Sequence, residues 1–379
     1  MNDLEKFFDS KNENLVSPET ISIAENALRD FLKLKPEERV LLLKENISNQ
    51  NTVSILREAI KKIGSTFNEL HVTEDVTRKE LQKLLKENDV IINTTLNGYK
   101  ATDNLHDTDI VKFNNRLLDL ADLGPESFQK DGGMTENLAE MEHRLNKMEA
   151  ILKEVDGLQI TSEYGTNLEV GLRPFEERRW YKDTGIIAGP GKWDNLPGGE
   201  IFTTPDERKV NGTLVLPVMD SEISGEQGVD EFVKVNIKNG LITSIQGGKS
   251  AEKLRKKLEE EAIREHSEGS NPLNVYQVAE ISFGANSKAR SSVADPEQPY
   301  NYPAVSVVEA EKRFGTMHIA FGSTKHGEEG AEGFIDALSH YDFVIPRNGL
   351  TVETFNGERN WQKKKNGKKI ISSGSLNFF

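Results

Sequence analysis

Apolar positions along the first hundred residues alternate between two periods. Ser17-Pro18-Glu19 has the form of a helix start, and Ile21, Ala24, Leu28, Phe31 and Leu32 follow at helical spacing. Val40 to Leu43 is a short continuous apolar run suited to a buried strand, and Asn51 to Ile63 returns to helical spacing through Ile55, Ala59, Ile60 and Ile63. Asn68 to Val72 reads as a strand, Arg78 to Lys86 as a short helix and Val90 to Thr94 as another strand. Strand alternating with helix predicts a small parallel α/β domain over residues 1–125, preceded by a loosely packed lead-in of 16 residues. No Gly-x-Gly-x-x-Gly loop follows any of its strands, so the domain is not read as a nucleotide site.

A polar, Gly-containing stretch between Gly124 and Gly133 marks the boundary to a second, larger domain over residues 126–379, of mixed α+β type. It opens with a charged amphipathic helix, Thr135 to Val155, whose Leu138, Met141, Leu145, Met148 and Leu152 form a packing stripe. Strands are predicted at 157–161, 167–170, 212–219, 232–236 and 241–245, the last two joined by a hairpin turn at Lys238-Asn239-Gly240. A charged surface helix, Ala251 to His266, comes next. A hairpin-like tail from Thr351 to Ile371, with turns at Asn356-Gly357 and Asn366-Gly367, ends the chain.

Composition narrows the chemistry. The 379 residues hold 48 Lys and Arg against 62 Asp and Glu, a formal net charge of −14, which argues against nucleic acid as partner. Cysteine is absent, so disulfides, thiolate nucleophiles and Cys-based zinc sites are excluded, and any metal must use nitrogen and oxygen donors. The acidic, polar start MNDLEKFFDSKNEN is unlike a signal peptide and no apolar run reaches the length of a membrane span. The expectation is a soluble, cytoplasmic protein with no membrane partner.

Three further segments carry polar residues among apolar neighbours. Val278 to Gly284 encloses Glu280, Gly315 to Gly322 encloses His318, and Ser339 to Val344 encloses His340 and Asp342. In a strand His340 and Asp342 share one face while Tyr341 and Phe343 share the other. A carboxylate such as Glu280 is costly to bury without a compensating cation. Glu200 repeats the pattern of an acid between a turn, Pro197-Gly198-Gly199, and a strand. Each residue has a plain structural reading: Glu280 pairs with Arg290 or Arg313, Asp342 caps a turn, His318 is a hydrogen-bonded core histidine. Taken together, Glu200, Glu280, His318, His340 and Asp342 point to bound divalent metal. Three carboxylates against two dications leave a charge of about +1, which a bound hydroxide neutralises. His326, in a Gly-flanked loop just past the His318 strand, is within reach of such a site. His71, His106, His143 and His266 read as surface residues. No Gly-x-Ser-x-Gly elbow supports serine chemistry.

At these residues the sequence resembles the metallo-aminopeptidase family that includes aminopeptidase T and aminopeptidase S. The likeness lies in Asn195 to Pro205, Ala279 to Asn286, Glu311 to Gly322 and His340 to Val344, in the family's order. The resemblance implies a two-domain α/β hydrolase, a homodimer, with an enclosed site for two divalent ions (zinc, cobalt or manganese). Glu200, Glu280, His318, His340 and Asp342 become the ligands, with Glu311 as a further candidate that reads equally well as a surface acid. Peptide substrates would be hydrolysed from the N-terminus by a metal-activated water, with Glu280 shuttling its proton. One departure stands out: where the family's peptidases carry a catalytic tyrosine, the loop reads Ser323-Thr324-Lys325-His326, leaving Lys325 or His326 to assist the oxyanion.

That departure keeps a second reading open. A ring-cleaving dioxygenase acting on dihydroxypyridine, a small-molecule substrate, resembles the same peptidases and holds one Fe(II) through a Glu and a His-x-Asp pair, here Glu280, His340 and Asp342. The presence of Glu200 and His318 argues for two metals, the missing tyrosine for one iron. A non-catalytic relative is the third reading.

Overall fold

The computed structural model describes residues 15–96, 99–102, 105, 109–121, 123–216, 232–290, 307–324, 335–345, 347, 349–356 and 367–377. Lys325, His326 and His106 lie outside these residues, as do most of the lead-in and the tail segment 357–366, while the tail strands Thr351–Phe355 and Lys369–Ser372 pair antiparallel. The chain divides into two compact units. The first joins residues 1–137 with 184–198 and 286–290, and the second holds 138–183, 199–285 and 291–379.

The first unit is a five-stranded sheet in the order Thr66–His71, Arg39–Lys44, Val90–Asn93, Arg116–Asp119 and Trp193–Asn195. Every pairing is parallel. Val40 to Leu43 are fully buried, as a central parallel strand covered on both faces requires. Leu41, Leu43 and Ile91 pack with Leu81 and Leu85 of the helix Arg78–Glu87. The helix Pro18–Asp30 starts at Ser17, whose Oγ accepts from the Thr20 amide at 3.2 Å while Thr20 Oγ1 accepts from the Ser17 amide at 2.9 Å.

The second unit holds two antiparallel sheets. The larger runs Leu241–Gln246, Val233–Lys238, Val210–Leu216, Asn167–Gly171, Gly157–Thr161, Thr351–Phe355, Lys369–Ser372 and Ser375–Leu376. Its hairpin at Asn239-Gly240 has positive φ at both residues (51° and 76°), the conformation the Asn-Gly pair predicts. The smaller sheet runs His340–Ile345, Met317–Gly322, Val278–Gly284, Glu200–Thr203 and Tyr181–Asp183. The helix Leu138–Leu152 buries Met141, Leu145, Met148 and Leu152, the stripe the spacing predicts. Phe283, Met317, Ile319, Phe321 and Phe343 of the smaller sheet join these residues, with Leu168 and Val235 of the larger one, in a single core. Phe321 and Phe343 lie with ring centroids 5.2 Å apart. Thus a mixed α/β fold pairs a parallel sheet in one unit with antiparallel sheets in the other. Among the described residues no helix is long and apolar enough to cross a membrane.

Candidate metal centre

Strand parity sorts the smaller sheet into an apolar face and a polar one. Met317, Ile319 and Phe321 turn to the core, so His318 and Ala320 turn away from it, and on the neighbouring strand His340 and Asp342 do the same opposite Tyr341 and Phe343. Ala320 is the register partner of both Asp342 and Glu280, and Gly322 that of His340. These small residues leave room for the longer side chains on either side to lean together. Glu200 pairs in register with Gly284 on one side and Asp183 on the other.

Glu280 reaches this face through an irregularity. Val278 is paired with Phe321, yet two residues on, Glu280 is paired with Ala320, so one extra residue, Ala279, is accommodated. In an unbroken strand Val278 and Glu280 would point the same way. The bulge lets Val278 enter the core while Glu280 joins the histidines.

His318 Nε2 lies 2.9 Å from Glu280 Oε1 and 3.5 Å from both Glu200 Oε2 and Asp342 Oδ1. His340 Nε2 is 3.2 Å from Asp342 Oδ1 and 3.9 Å from Glu280 Oε2, and its Nδ1 lies 2.7 Å from the Ser323 carbonyl oxygen. Only a protonated Nδ1 satisfies that carbonyl, which leaves Nε2 as the donor atom for a cation. Ser282 Oγ donates to Glu200 Oε2 at 2.5 Å. Three groups of donors can each close around an ion, with one atom from every member within 4.8 Å of the others: Glu200, Glu280 and His318; Glu280, His340 and Asp342; Glu311, His318 and Asp342. All six metal candidates therefore converge. Glu311 is buried rather than a surface acid, because the helix Val307–Lys312 directs it inward.

Lys312, not anticipated from sequence, completes the cluster. Lys312 is 2% exposed, and its Nζ meets Glu200 Oε1 in a short ion pair, Glu311 Oε1 at 2.9 Å and Asp183 Oδ2 at 3.6 Å. Within Glu311-Lys312-Arg313 it reads as part of a solvated charge run. The signal that could have found it is its position between Ala310 and Phe314, immediately before a buried strand. Gly284 permits this approach, since a Cβ there would stand 2.1 Å from the Arg313 carbonyl oxygen.

Electrostatics show a site short of positive charge. Burial alone would lower the pKa of His318, but Glu200, Glu280, Glu311 and Asp342 push it up to about 10. Burial likewise opposes the charge on His340, and Asp342 and Glu280 push it up to about 10. Desolvation raises Glu311 to about 8 against the pull of Lys312, and raises Glu200 as well. Asp342 moves the other way: burial is outweighed by His340 and His318, which hold its carboxyl far below the usual range. His318 Nδ1 and Glu311 Oε2 are buried without a hydrogen-bond partner among the described residues. Imidazoles that behave as surrogate cations among carboxylates fit a metal ion, and an oxygen- and nitrogen-only donor set suits Fe(II), Mn, Co or Zn. His71, His143 and His266 are exposed and take no part.

Fold and site thus define a two-unit α/β protein with a buried, carboxylate-rich cluster able to hold metal. The sequence profile of the 2,5-dihydroxypyridine 5,6-dioxygenase family, NicX, matches residues 20–353, and the chain belongs to that family. A curated relative, the 2,5-dihydroxypyridine 5,6-dioxygenase of Pseudomonas putida KT2440, is 30% identical over 147 residues, which span 39% of this chain and 39% of the relative. Among solved structures, 2,5-dihydroxypyridine dioxygenase from P. putida KT2440 is similar with a TM-score of 0.63 at 19% identity, covering 94% of this chain and 96% of that one. Wild-type AmpT from Thermus thermophilus is similar with a TM-score of 0.64 at 16% identity, covering 95% and 99%. Both structural likenesses speak for the fold alone.

Family membership corrects the sequence reading. The metallo-aminopeptidase assignment, the hydrolase class and the proteolytic role are overturned by the dioxygenase profile across most of the chain and the homologue of the same name. The physical reason is that the ligand-bearing blocks describe a scaffold and a donor set, and neither specifies what the metal does. Two zinc, cobalt or manganese ions find no support in these comparisons.

Proposed function

We propose that this chain is a mononuclear non-haem Fe(II) dioxygenase that opens the ring of a dihydroxylated pyridine, with Glu280, His340 and Asp342 holding the iron. The observation that carries the reading is the family match over residues 20–353, joined to one donor group, Glu280, His340 and Asp342, of the required type. Two carboxylates neutralise a dication and a neutral imidazole completes the set. It has a carboxylate where the two-histidine, one-carboxylate triad of many iron oxygenases has its second histidine.

Access distinguishes this group from the other two. The side chains of His340 and Asp342 are 30% and 23% exposed, whereas those of His318 and Lys312 are 1% and 2% exposed. Substrate therefore approaches from the side of His340 and Asp342, and Glu200, His318, Glu311 and Lys312 form the wall behind. Fe(II) held there would supply a redox-active centre with open positions, through which electrons of the electron-rich ring reduce dioxygen. The chain's own residues prepare that centre: Ser323 fixes the tautomer of His340, His318 holds the Glu280 carboxylate, and Ser282 and Lys312 hold Glu200. His318, close to Glu280 and kept protonated in the metal-free protein, is placed to hold a proton at Nε2.

The test is reconstitution with Fe(II) under nitrogen, followed by addition of 2,5-dihydroxypyridine and air. Loss of the hydroxypyridine absorbance by the wild type, and its absence in Glu280→Ala, His340→Ala and Asp342→Ala, is the expected result. Unchanged absorbance with iron-loaded wild type contradicts the reading.

A further inference from the structure

We propose that Lys312 is a built-in cation that excludes a second metal ion and thereby keeps the centre mononuclear. This rests on the one-iron reading and adds the residue that enforces it.

The six donors are enough for two ions, because the three donor groups overlap at Glu280, His318 and Asp342. What separates the groups is Lys312. Its ammonium holds Glu200 Oε1, whose other oxygen accepts from Ser282, so both oxygens of that carboxylate are engaged. It also holds Glu311 Oε1 at 2.9 Å. Each of the two groups other than Glu280, His340 and Asp342 therefore contains a carboxylate bound to Lys312.

Location and charge make the ammonium an effective substitute for a metal. At 2% exposure Lys312 cannot swing into solvent, and Gly284 brings its backbone against the strand carrying Glu280. Asp183, which belongs to none of the three groups, adds a third carboxylate at 3.6 Å. A compact point charge with three donors satisfies oxygen ligands much as a small cation does, and like charge at close range in a buried site repels a dication. The same scaffold and donor set would accept two ions if that ammonium were absent.

The test is metal stoichiometry, read with Mn²⁺ as the probe by elemental analysis after gel filtration and by the spin-coupled signal of a manganese pair. Wild type is expected to take up about one ion per chain and Lys312→Met about two, with Lys312→Arg remaining at one. Should Lys312→Met lose its native circular dichroism, Lys312→Met with Asp183→Asn removes one charge of each sign while leaving all six donors, and is expected to bind two. A folded neutral variant that still binds one ion overturns the role of Lys312 and leaves the one-iron reading standing. Wild type that binds two ions, or none, overturns both.

Discussion

His340 is held to the Ser323 carbonyl through Nδ1 at 2.7 Å, so its Nε2 faces Asp342 Oδ1 at 3.2 Å. The contact ties the end of one site strand to the loop that leaves its neighbour, and it fixes which nitrogen is available to a metal. A ligand held this way loses little freedom on binding.

Replacement of His340 by Ala removes a donor outright. Iron affinity is expected to fall by more than the factor of about 10 to 100 typical of losing an outer partner. Elemental analysis after desalting measures this, and near-wild-type iron content would show that His340 is no ligand.

Ser282→Ala leaves the donor set intact and removes only the hydroxyl that holds Glu200. Iron affinity is expected to drop by about 10-fold or less, since Glu200 stands behind the proposed triad. Equilibrium competition with a chelator reads the change, and a loss as large as that of His340→Ala would move Glu200 into direct contact with the ion.

The metal-free protein should depend on pH in a defined direction. His318 and His340 are raised from 6.5 to about 10, so their protonation stabilises the fold fully below pH 6.5, and that contribution is lost as pH rises to 10. Glu311, raised from 4.5 to about 8, adds loss between those values. The thermal stability of metal-free protein should therefore fall from neutral to alkaline pH. Metal uptake at pH 7 displaces imidazole protons, so apparent affinity rises with pH, with about one proton released per ligating histidine. Calorimetry in buffers of different ionisation enthalpy counts them, and no release would contradict the assignment.

Ala320 lies in register between Glu280 and Asp342. Ala320→Leu fills that space and is expected to cost about 1–3 kcal/mol of stability and to abolish iron binding. On the opposite face, Phe343→Ala should cost about 3–5 kcal/mol by opening the core, while the folded fraction still binds iron. Unfolding curves and iron content together separate the two faces.

Much of this was legible along the chain. The apolar periods located the helices at residues 18–30, 50–63, 78–87 and 138–152, and parity put His340 with Asp342 on one face. Three-residue strands such as Tyr181–Asp183 and Trp193–Asn195 carry too few positions to show a period, and both are largely polar. The bulge at Ala279 is not marked by any turn or breaker residue, since Val278 and Ala279 are both apolar, although it decides where Glu280 points. Lys312 was hidden because a lysine beside a glutamate and an arginine is ordinarily solvated, and only the packed helix end reveals it as buried. The chemistry was misjudged for a related reason: the donors specify a metal, while the reaction depends on what surrounds it.

The most direct measurement is oxygen consumption by Fe(II)-loaded protein on addition of 2,5-dihydroxypyridine, followed with an oxygen electrode alongside iron analysis. A dioxygenase with one iron at Glu280, His340 and Asp342 takes up about one O₂ per substrate consumed, with about one iron per chain. Iron-loaded protein that consumes no oxygen with this substrate would contradict the account.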